Sequence, residues 1–191
     1  MSDARLAAVY RIFDESTRVL DAVRRADQGP LLSAIAVIET AIAHRRRVLV
    51  FGNGGSASDA QHFAAEFVVR FQRERKAAPV IALTADTSIL TAMGNDYAFD
   101  RVFARQIEAL GNTGDVALAI TTSGQSPNIL AALRTARAGG LTTIALTGRD
   151  GGEAGTLADI HVNVADQSTA RVQEVQRTVL HVICEIVEEG L

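Results

Sequence analysis

The sequence contains no tryptophan, one cysteine and three prolines among its 191 residues. The single thiol, Cys184, excludes an intrachain disulfide framework, fits a reducing compartment and is expected to be buried within a helix. No apolar run approaches the roughly 18 residues of a membrane span, and the N-terminal residues MSDARLAAVY lack the basic and apolar regions of a signal peptide. We therefore expect one cytoplasmic domain, residues 1–191, with no membrane partner.

The chain also lacks a marked excess of positive or negative charge. Nineteen Lys and Arg residues against 22 Asp and Glu residues give a net charge of −3. Binding to duplex nucleic acid normally requires a basic surface, so no nucleic-acid partner is expected. Because hydrophobic residues make up 48% of the chain, it is long and apolar enough to bury a substantial core.

What the sequence does contain is a regular alternation of apolar runs and helical patterns. Apolar residues at three- and four-residue spacing predict an N-terminal helical hairpin in residues 1–45, with helices over 3–26 and 30–45. In residues 46–191, strands are predicted at 47–51, 79–83, 115–120, 142–146 and 159–164, and helices at 55–72, 86–94, 98–110, 126–138 and 168–189. The strand segments are almost continuously apolar, as in a parallel sheet buried on both faces. The predicted fold class is therefore α/β, a three-layer sandwich whose five-stranded parallel sheet is flanked by helices.

The loop after the first predicted strand is rich in glycine, and in such folds ligands bind beyond the carboxyl ends of the strands. Its segment GNGGSA (52–57) satisfies the dinucleotide-binding fingerprint. However, the acidic residue expected about 20 positions later is missing, and no Gly-Lys-Ser/Thr of a nucleotide-hydrolase loop follows. The glycines permit the close approach of a ligand, whereas Ser56 or Ser58 is also suited simply to cap the next helix.

His62 and Glu66 lie four residues apart in that next helix, so both side chains project from one face. The surrounding sequence QHFAAEF is apolar, which predicts that this face is partly buried. Three interpretations fit the pair: a helix-stabilising contact worth about 0.2–0.5 kcal/mol, a metal site, or a general base. The sequence of this helix does not decide among them.

A second loop, TTSGQSP (121–127), follows the third predicted strand and is rich in hydroxyl groups. Together with the free N–H groups of the following helix, such hydroxyls can hold a phosphate without any lysine. A helix cap would account for one hydroxyl, but Thr121, Thr122, Ser123 and Ser126 supply four. Two loops of this type without a nucleotide motif indicate a phosphorylated small molecule, of which a sugar phosphate is the simplest.

The last predicted helix, 168–189, carries two polar residues beside its apolar stripe. The stripe comprises Val172, Val175, Val179, Ile183 and Ile186. Gln173 and His181 lie about 12 Å apart along the helix axis. A histidine in such a place is more often a core or interface residue than a ligand, and both side chains would have to reach inward to share one site.

Five separated motifs then occur in order across residues 51–181: FGNGGSASDAQHFAAE, MGNDYAFDRVF, TTSGQSPNIL, LTGRDGG and ARVQEVQRTVLH. In this combination the chain resembles the phosphoheptose isomerases of the sugar-isomerase (SIS) domain superfamily over nearly its whole length. The resemblance implies a flavodoxin-like SIS fold. It also implies conversion of D-sedoheptulose 7-phosphate to D-glycero-D-manno-heptose 7-phosphate through an enediol, the first step towards activated heptose for lipopolysaccharide or related glycans.

The resemblance further implies roles for individual residues. One Zn²⁺ per subunit would be bound by His62, Glu66, Gln173 and His181, with Glu66 also the catalytic base and His181 its partner acid. The implied substrate contacts are Asn53, Gly54, Gly55, Ser56, Glu66, Asn95, Asp96, Thr121, Thr122, Ser123, Ser126 and Gln173. A homotetramer with active sites near the subunit interfaces is also implied. Two positions depart from the family pattern, because Gln176 stands where histidine is common and Thr121 where serine is common.

A rival interpretation comes from a non-catalytic relative of the same fold that binds the bacterial replication initiator. That protein is similar to residues 60–83 of this chain, but it lacks the glutamate and histidine that stand here at positions 66 and 181. The presence of both residues favours the enzyme. The run RFQRERK (70–76) is suited to a partner, although a solvated helix end is the simpler interpretation.

Overall fold

The structure is a computed structural model that describes residues 2–191. Two helices come first, and strands and helices then alternate to the end of the chain. The helices are α1 (Ser2–Arg25), α2 (Gly29–Ala43), α3 (Gly55–Val68), α4 (Thr87–Asp96), α5 (Val102–Leu110), α6 (Pro127–Ala138), α7 (Gly152–Leu157) and α8 (Thr169–Glu189). The strands are β1 (Val48–Gly52), β2 (Val80–Ala82), β3 (Val116–Ile120), β4 (Thr142–Gly148) and β5 (Ile160–Val164), and a 3₁₀ turn (Phe99–Arg101) precedes α5.

The five strands form one parallel sheet in the order β2-β1-β3-β4-β5. This is the flavodoxin-like order, and the predicted α/β class is confirmed. The chain leaves β1 towards one edge of the sheet and leaves β3 towards the other, so the two connections diverge between neighbouring strands. A crevice opens at such a switch point, beyond the carboxyl ends of the strands, and ligands bind there.

Alternation of side chains along the strands divides the core into two layers. Val48, Val50, Val116 and Leu118 face a layer built by α1, α2, α3 and α8. Leu49, Phe51, Ala117 and Ala119 face a second layer that includes α5 and α6. Every residue of β1 and of β3 is buried, as the apolar runs predicted. The sheet therefore holds the loops after β1 and β3 on a rigid base.

Three helices differ from the sequence-based prediction. The segment predicted at 98–110 begins with the 3₁₀ turn, so α5 itself starts at Val102. α3 ends at Val68 rather than at residue 72, because the chain turns at Val69 and Ala78 then donates a backbone hydrogen bond to the Phe67 carbonyl. α7 was not predicted, since its six residues include two glycines and show no apolar periodicity. In α8 the stripe is buried as predicted except at Ile186, which is 37% exposed. Cys184 is buried, as expected.

Residues 69–79, here called the Arg75 loop, confirm one part of the prediction of a solvated helix end at 70–76 and contradict the other. Five of these seven residues are exposed, as predicted, but the segment is not helical. Arg75 is the exception to the exposure of the charged residues, because only 5% of its side chain is exposed, whereas 61% of the Arg73 side chain is. Across residues 2–191, no helix is both long enough and apolar enough to cross a bilayer.

Candidate active site

The loops after β1 and β3 meet at the switch point through a pair of amides. Asn53 Nδ2 donates to Asn128 Oδ1 at 2.9 Å, and Asn128 Nδ2 donates to Asn53 Oδ1 at 2.9 Å. Asn128 lies in the first turn of α6 and is 2% exposed. Asn128 was not among the predicted site residues, although an amide in a first turn beside a hydroxyl-rich loop is a usable signal. The pair fixes the distance between the two walls of the crevice.

Neither helix that starts at this crevice is capped by the side chain of its N-cap residue, although Asn128 Oδ1 accepts from the Ile129 N–H at 3.0 Å in the first turn of α6. The N-cap of α3 is Gly54, which has a φ of 56°, and no side chain accepts a hydrogen bond there. The capping role considered for Ser56 or Ser58 is therefore wrong, and Ser56 is 3% exposed. At α6 the N-cap is Ser126, whose hydroxyl likewise makes no capping hydrogen bond. In the first turns of both helices most N–H groups already donate to nearby backbone carbonyls, and among residues 2–191 only the N–H groups of Gly55 and Asn128 have no acceptor there.

The loop after β3 is shaped by its own hydroxyl groups. Thr121 Oγ1 accepts a hydrogen bond from the Gly124 N–H at 3.2 Å, and Ser123 Oγ accepts one from the Gln125 N–H at 3.2 Å. A hydroxyl that accepts in this way keeps its own hydrogen for donation. The loop therefore retains the O–H donors that a phosphate ligand requires.

Gln176 joins α8 to the same loop. Its side chain is fully buried, and Nε2 lies 3.2 Å from the carbonyl oxygens of both Thr121 and Leu146. Its Oε1 atom is buried without a hydrogen-bond partner among the residues that the structure describes. The glutamine thus ties α8 to the carboxyl ends of β3 and β4, so this departure from the family pattern has a structural role here.

His62, Glu66 and His181 form a second cluster, between α3 and α8. His62 Nε2 lies 2.8 Å from His181 Nε2 and 3.4 Å from Glu66 Oε1. At 2.8 Å one imidazole donates and the other accepts, so the two rings share one hydrogen between them. The His62 and Glu66 side chains are 35% and 20% exposed, which confirms that their face is partly buried. The cluster combines a carboxylate with two imidazoles, the groups that most often transfer protons in enzymes.

Cys184 is buried close to this cluster but does not take part in its chemistry. Burial raises the pKa of its thiol, and the negative charges of Glu66 and Glu188 raise it further. A thiol in that environment stays protonated and is a poor nucleophile. Its role is packing, as the sequence predicted.

The other predicted site residues lie away from this cluster. Gln173 lies against the backbone at the start of α3, where a Cβ added to Gly55 would come within 2.5 Å of its Nε2 atom. Gly55 is seven residues before His62, which corresponds to about 10 Å of helix. Asn95 and Asp96 are exposed at the end of α4, where Asn95 Nδ2 donates to Asp96 Oδ1 at 2.7 Å. Their side chains have no recorded contact with the crevice loops.

Gln173 lines a cleft of about 420 Å³ between the first turns of α3 and α8. Its polar lining also includes Asp59 and Arg177, which form an ion pair across the two helices. Asp59 is 3% exposed, whereas half of the Arg177 side chain reaches solvent. This pair could not be predicted from local sequence patterns, because its members are separated by 118 residues.

The cluster fits zinc in the type of its donors but only approximately in their spacing. Two nitrogens bound to one tetrahedral zinc at 2.0–2.1 Å would lie about 3.3 Å apart. The two Nε2 atoms, at 2.8 Å, would have to separate by about half an ångström, which requires a small rotation of two partly buried rings. Within residues 2–191, no three His, Cys, Asp or Glu side chains converge on a common metal position.

Comparison with known proteins places this chain in a family. The chain matches the SIS domain family over residues 11–148. It is 52% identical to the phosphoheptose isomerase of Roseiflexus sp. (strain RS-1) over 184 residues, covering 94% of this chain and 93% of that protein. The chain belongs to the phosphoheptose isomerase family of SIS-domain proteins.

Solved members of the phosphoheptose isomerase family share the whole architecture. The structure from Neisseria gonorrhoeae superimposes with a TM-score of 0.90 at 39% identity, covering 99% of this chain and 100% of that one. The structure from Francisella tularensis gives a TM-score of 0.93 at 36% identity, covering 97% and 98%. The N-terminal helices α1 and α2 are therefore part of the family architecture, as the resemblance implied.

Proposed function

We propose that the protein is an aldose–ketose isomerase that converts D-sedoheptulose 7-phosphate to D-glycero-D-manno-heptose 7-phosphate. The reaction would take place in the cytoplasm, as the first step towards activated heptose for lipopolysaccharide or related glycans, and residues 1–191 would act as one domain. The carrying observation is that Glu66, His62 and His181 are clustered in a chain 52% identical to a phosphoheptose isomerase.

The distance between the hydroxyl-rich loop (121–126) and the cluster of His62, Glu66 and His181, here called the proton-transfer cluster, suits a seven-carbon sugar phosphate. Helix α8 contacts the hydroxyl-rich loop at Gln176 and the proton-transfer cluster at His181, five residues or about 7.5 Å further along its axis. This separation is comparable with the length of an extended heptose chain. The phosphate at C7 would accept hydrogen bonds from Thr121, Thr122, Ser123 and Ser126, and the positive end of α6 would add to its binding. The sugar would lie along the glycines of the loop after β1, with C1 and C2 at the cluster.

The remaining proposed contacts belong to the sugar hydroxyls. Asn53, Gly54, Gly55, Ser56 and Gln173, which lie at the start of α3 or against it, are proposed to make these contacts. Asn95 and Asp96, on the exposed end of α4, would have to approach when the sugar binds. Loop and helix-end movements of this kind are common when a substrate closes its site.

The proton transfers follow from the groups in the cluster. Glu66, as the carboxylate base, would remove a proton from C1 of the ketose while His181 donates one to the carbonyl oxygen at C2. The enediol would then collapse when Glu66 returns the proton to C2 and the hydroxyl at C1 loses its hydrogen to the imidazole. One base therefore moves hydrogen between neighbouring carbons, and the carbonyl moves from C2 to C1.

Zinc, one ion per subunit, is the proposed cofactor, bound by His62, Glu66 and His181. Gln173 is the proposed fourth ligand by the family resemblance, although its amide lies against Gly55 in this structure. Bound zinc would supply positive charge that polarises the sugar oxygens. Because a carboxylate bound to a metal is a weaker base, ligation and proton transfer by Glu66 would compete, so the fully ligated form is proposed as a resting state.

The replication-initiator regulator is not favoured. The comparisons match this chain to phosphoheptose isomerases at about 50% identity across almost its full length. The two residues by which that regulator differs, Glu66 and His181, both lie at the proton-transfer cluster.

A homotetramer with active sites near the subunit interfaces is the proposed assembly. Its support is an exposed apolar face on α1, where Leu6 is 50%, Tyr10 61% and Phe13 67% exposed. An apolar face of this extent typically marks an interaction surface, and α1 of a second copy is proposed to cover it. Light scattering should therefore give four times the 20.3 kDa chain mass. Phe13→Glu is expected to lower that mass, while a monomer of unchanged wild-type protein would contradict the proposal.

The function is tested by incubating purified protein with sedoheptulose 7-phosphate and following the aldose 7-phosphate product. Product should form, should disappear after chelation and should return when zinc is restored. Zinc binding should also be measured without substrate, by competition with a coloured chelator, in the wild type and in His62→Ala. Sedoheptulose without its phosphate is the matched control and should react poorly. Zinc-replete protein that forms no product would point to the binding regulator instead.

A further inference from the structure

The last turn of α3, which carries Glu66, is held from outside the helix by one arginine. Arg75 Nη2 donates to the Glu66 carbonyl at 2.6 Å, and Arg75 Nη1 donates to the Phe67 carbonyl at 2.7 Å. The last carbonyls of a helix have no partners within it, so these are groups that need an external donor. The guanidinium also lies over the Phe67 ring, 5.8 Å from its centre.

Arg75 is itself held by a buried carboxylate on α8. Its Nε atom lies 3.2 Å from Glu188 Oε1, an ion pair whose N–H does not point along a hydrogen bond. Only 5% of the Arg75 side chain and 3% of the Glu188 side chain are exposed. A pair buried this deeply is retained only where other hydrogen bonds compensate for the lost water.

Those hydrogen bonds come from the backbone of the Arg75 loop. Glu188 accepts from the N–H groups of Phe71 at 3.0 Å, Gln72 at 2.7 Å and Arg73 at 2.9 Å. Burial alone would raise the pKa of Glu188, but these N–H groups and Arg75 outweigh it and hold the pKa below its usual value. The carboxylate is thus charged at neutral pH and folds the loop around itself.

The same loop also reaches the second member of the proposed catalytic pair. The Phe71 ring packs against the His181 imidazole, with 5.6 Å between ring centres. Phe71 is one of the three residues whose N–H groups bind Glu188. The Arg75–Glu188 pair therefore connects to Glu66 through a carbonyl and to His181 through an aromatic contact.

We propose that Arg75 and Glu188 are positioning residues, which lock the Arg75 loop and thereby fix Glu66 and His181 at their reacting distance. The inference rests on the proposed isomerase function, since it assigns the pair a task within that site. Neither residue touches the substrate in this proposal. Misplacing a catalytic group by about 1 Å can reduce a rate by about 100-fold, so such a lock has a measurable effect on turnover.

The chain supplies matched controls for the test. Arg73 and Glu189 form an ion pair between the same two segments at 3.3 Å, but with 61% and 58% of their side chains exposed. The variants Arg75→Lys and Glu188→Gln remove the forked donor and the charge with little change in volume. Arg73→Lys and Glu189→Gln make the same chemical changes on the surface, where an ion pair contributes little.

Two measurements on the full-length variants, turnover and amide hydrogen exchange, test whether Arg75 and Glu188 are positioning residues. In Arg75→Lys and Glu188→Gln, kcat per folded molecule should fall about 10- to 100-fold while KM changes by less than about twofold, because the phosphate loop is untouched. Amide hydrogen exchange in the peptide covering 66–79 should accelerate at least about tenfold. The control variants should match the wild type in both.

The outcomes separate the two proposals. Exchange at 66–79 that is as slow as in the controls would overturn the lock, whether or not the wild type is active. Faster exchange with wild-type kcat would overturn the positioning role, since the loop would then be only structural. An inactive wild type would count against the isomerase proposal alone, because the exchange measurement does not depend on it.

Discussion

The variant Glu66→Gln is expected to lose about 10²- to 10⁴-fold in turnover of sedoheptulose 7-phosphate, the range of general base catalysis. The amide has nearly the same size and keeps an oxygen beside His62, but it cannot accept a proton from carbon. Exchange of the C1 hydrogen with solvent deuterium should stop in parallel, because that exchange requires only the first proton transfer. The measurement is deuterium incorporation together with product formation.

Folding of the Glu66→Gln variant should be preserved. The side chain is 20% exposed and packs beside polar groups, so a change of less than about 1 kcal/mol, or about 2–4 °C in Tm, is expected. Glu185→Gln, an exposed glutamate on α8, is the matched control and should keep full turnover. Near-normal turnover or continued deuterium incorporation by the Glu66 variant would contradict its role as the base. Zinc content measured in both variants separates loss of the base from loss of the metal.

The strands could be predicted because both faces of the sheet are covered. Val116–Ile120 is buried at every position, so a short, continuously apolar segment is itself the signal. The order of the strands then places two loops at the switch point, and the sequence shows that these loops carry glycines and hydroxyls. For this part of the site, local pattern and fold-level rules were sufficient.

The Arg75 loop could not be predicted, because its structure depends on a contact more than 100 residues away. Three backbone N–H groups bind Glu188, and a backbone donor leaves no trace in the side-chain pattern. The charges at 70–76 indicated solvent, yet one of the arginines is among the least exposed charged side chains of the site region. In the sequence, the residues of a buried ion pair cannot be distinguished from those of a surface pair, because burial depends on where the fold places both partners.

Within the site, helical spacing predicted that His62 and Glu66 share a face, and their 3.4 Å separation confirms it. The partnership with His181 had no local signal and came only from the family resemblance. The hydrogen bonds of the Asn53–Asn128 pair and of Gln176 could not be predicted either, since each joins segments that meet only in the folded chain.

The loop that is proposed to bind phosphate depends on the absence of a side chain at Gly124. This residue has a φ of +65° in the left-handed region, and a Cβ there would collide with the Gly151 carbonyl oxygen and lie 2.7 Å from its carbon. The loop after β3 is also joined to the segment after β4, which contains Gly151 and α7, by the hydrogen bond from the Ala154 N–H to the Gly124 carbonyl, at 2.9 Å. Their backbones are therefore in direct contact, with no flexible side chain between them to yield.

Gly124→Ala is expected to reduce kcat/KM about 100-fold, mainly through KM, because separating the loops displaces the hydroxyls of Thr121 and Ser123 from the phosphate. At 1.4 kcal/mol per factor of ten, this loss corresponds to about 2.8 kcal/mol. Gly114→Ala is the matched control, since Gly114 has a φ of +88° but its Cβ would meet nothing closer than Arg46 Nε at 3.5 Å. Both variants carry the left-handed penalty of about 1–2 kcal/mol, and only Gly124→Ala carries the collision. Steady-state kinetics and thermal unfolding of the two, side by side, make the comparison. If Gly124→Ala binds substrate as well as Gly114→Ala does, the contact between these loops does not shape the phosphate site.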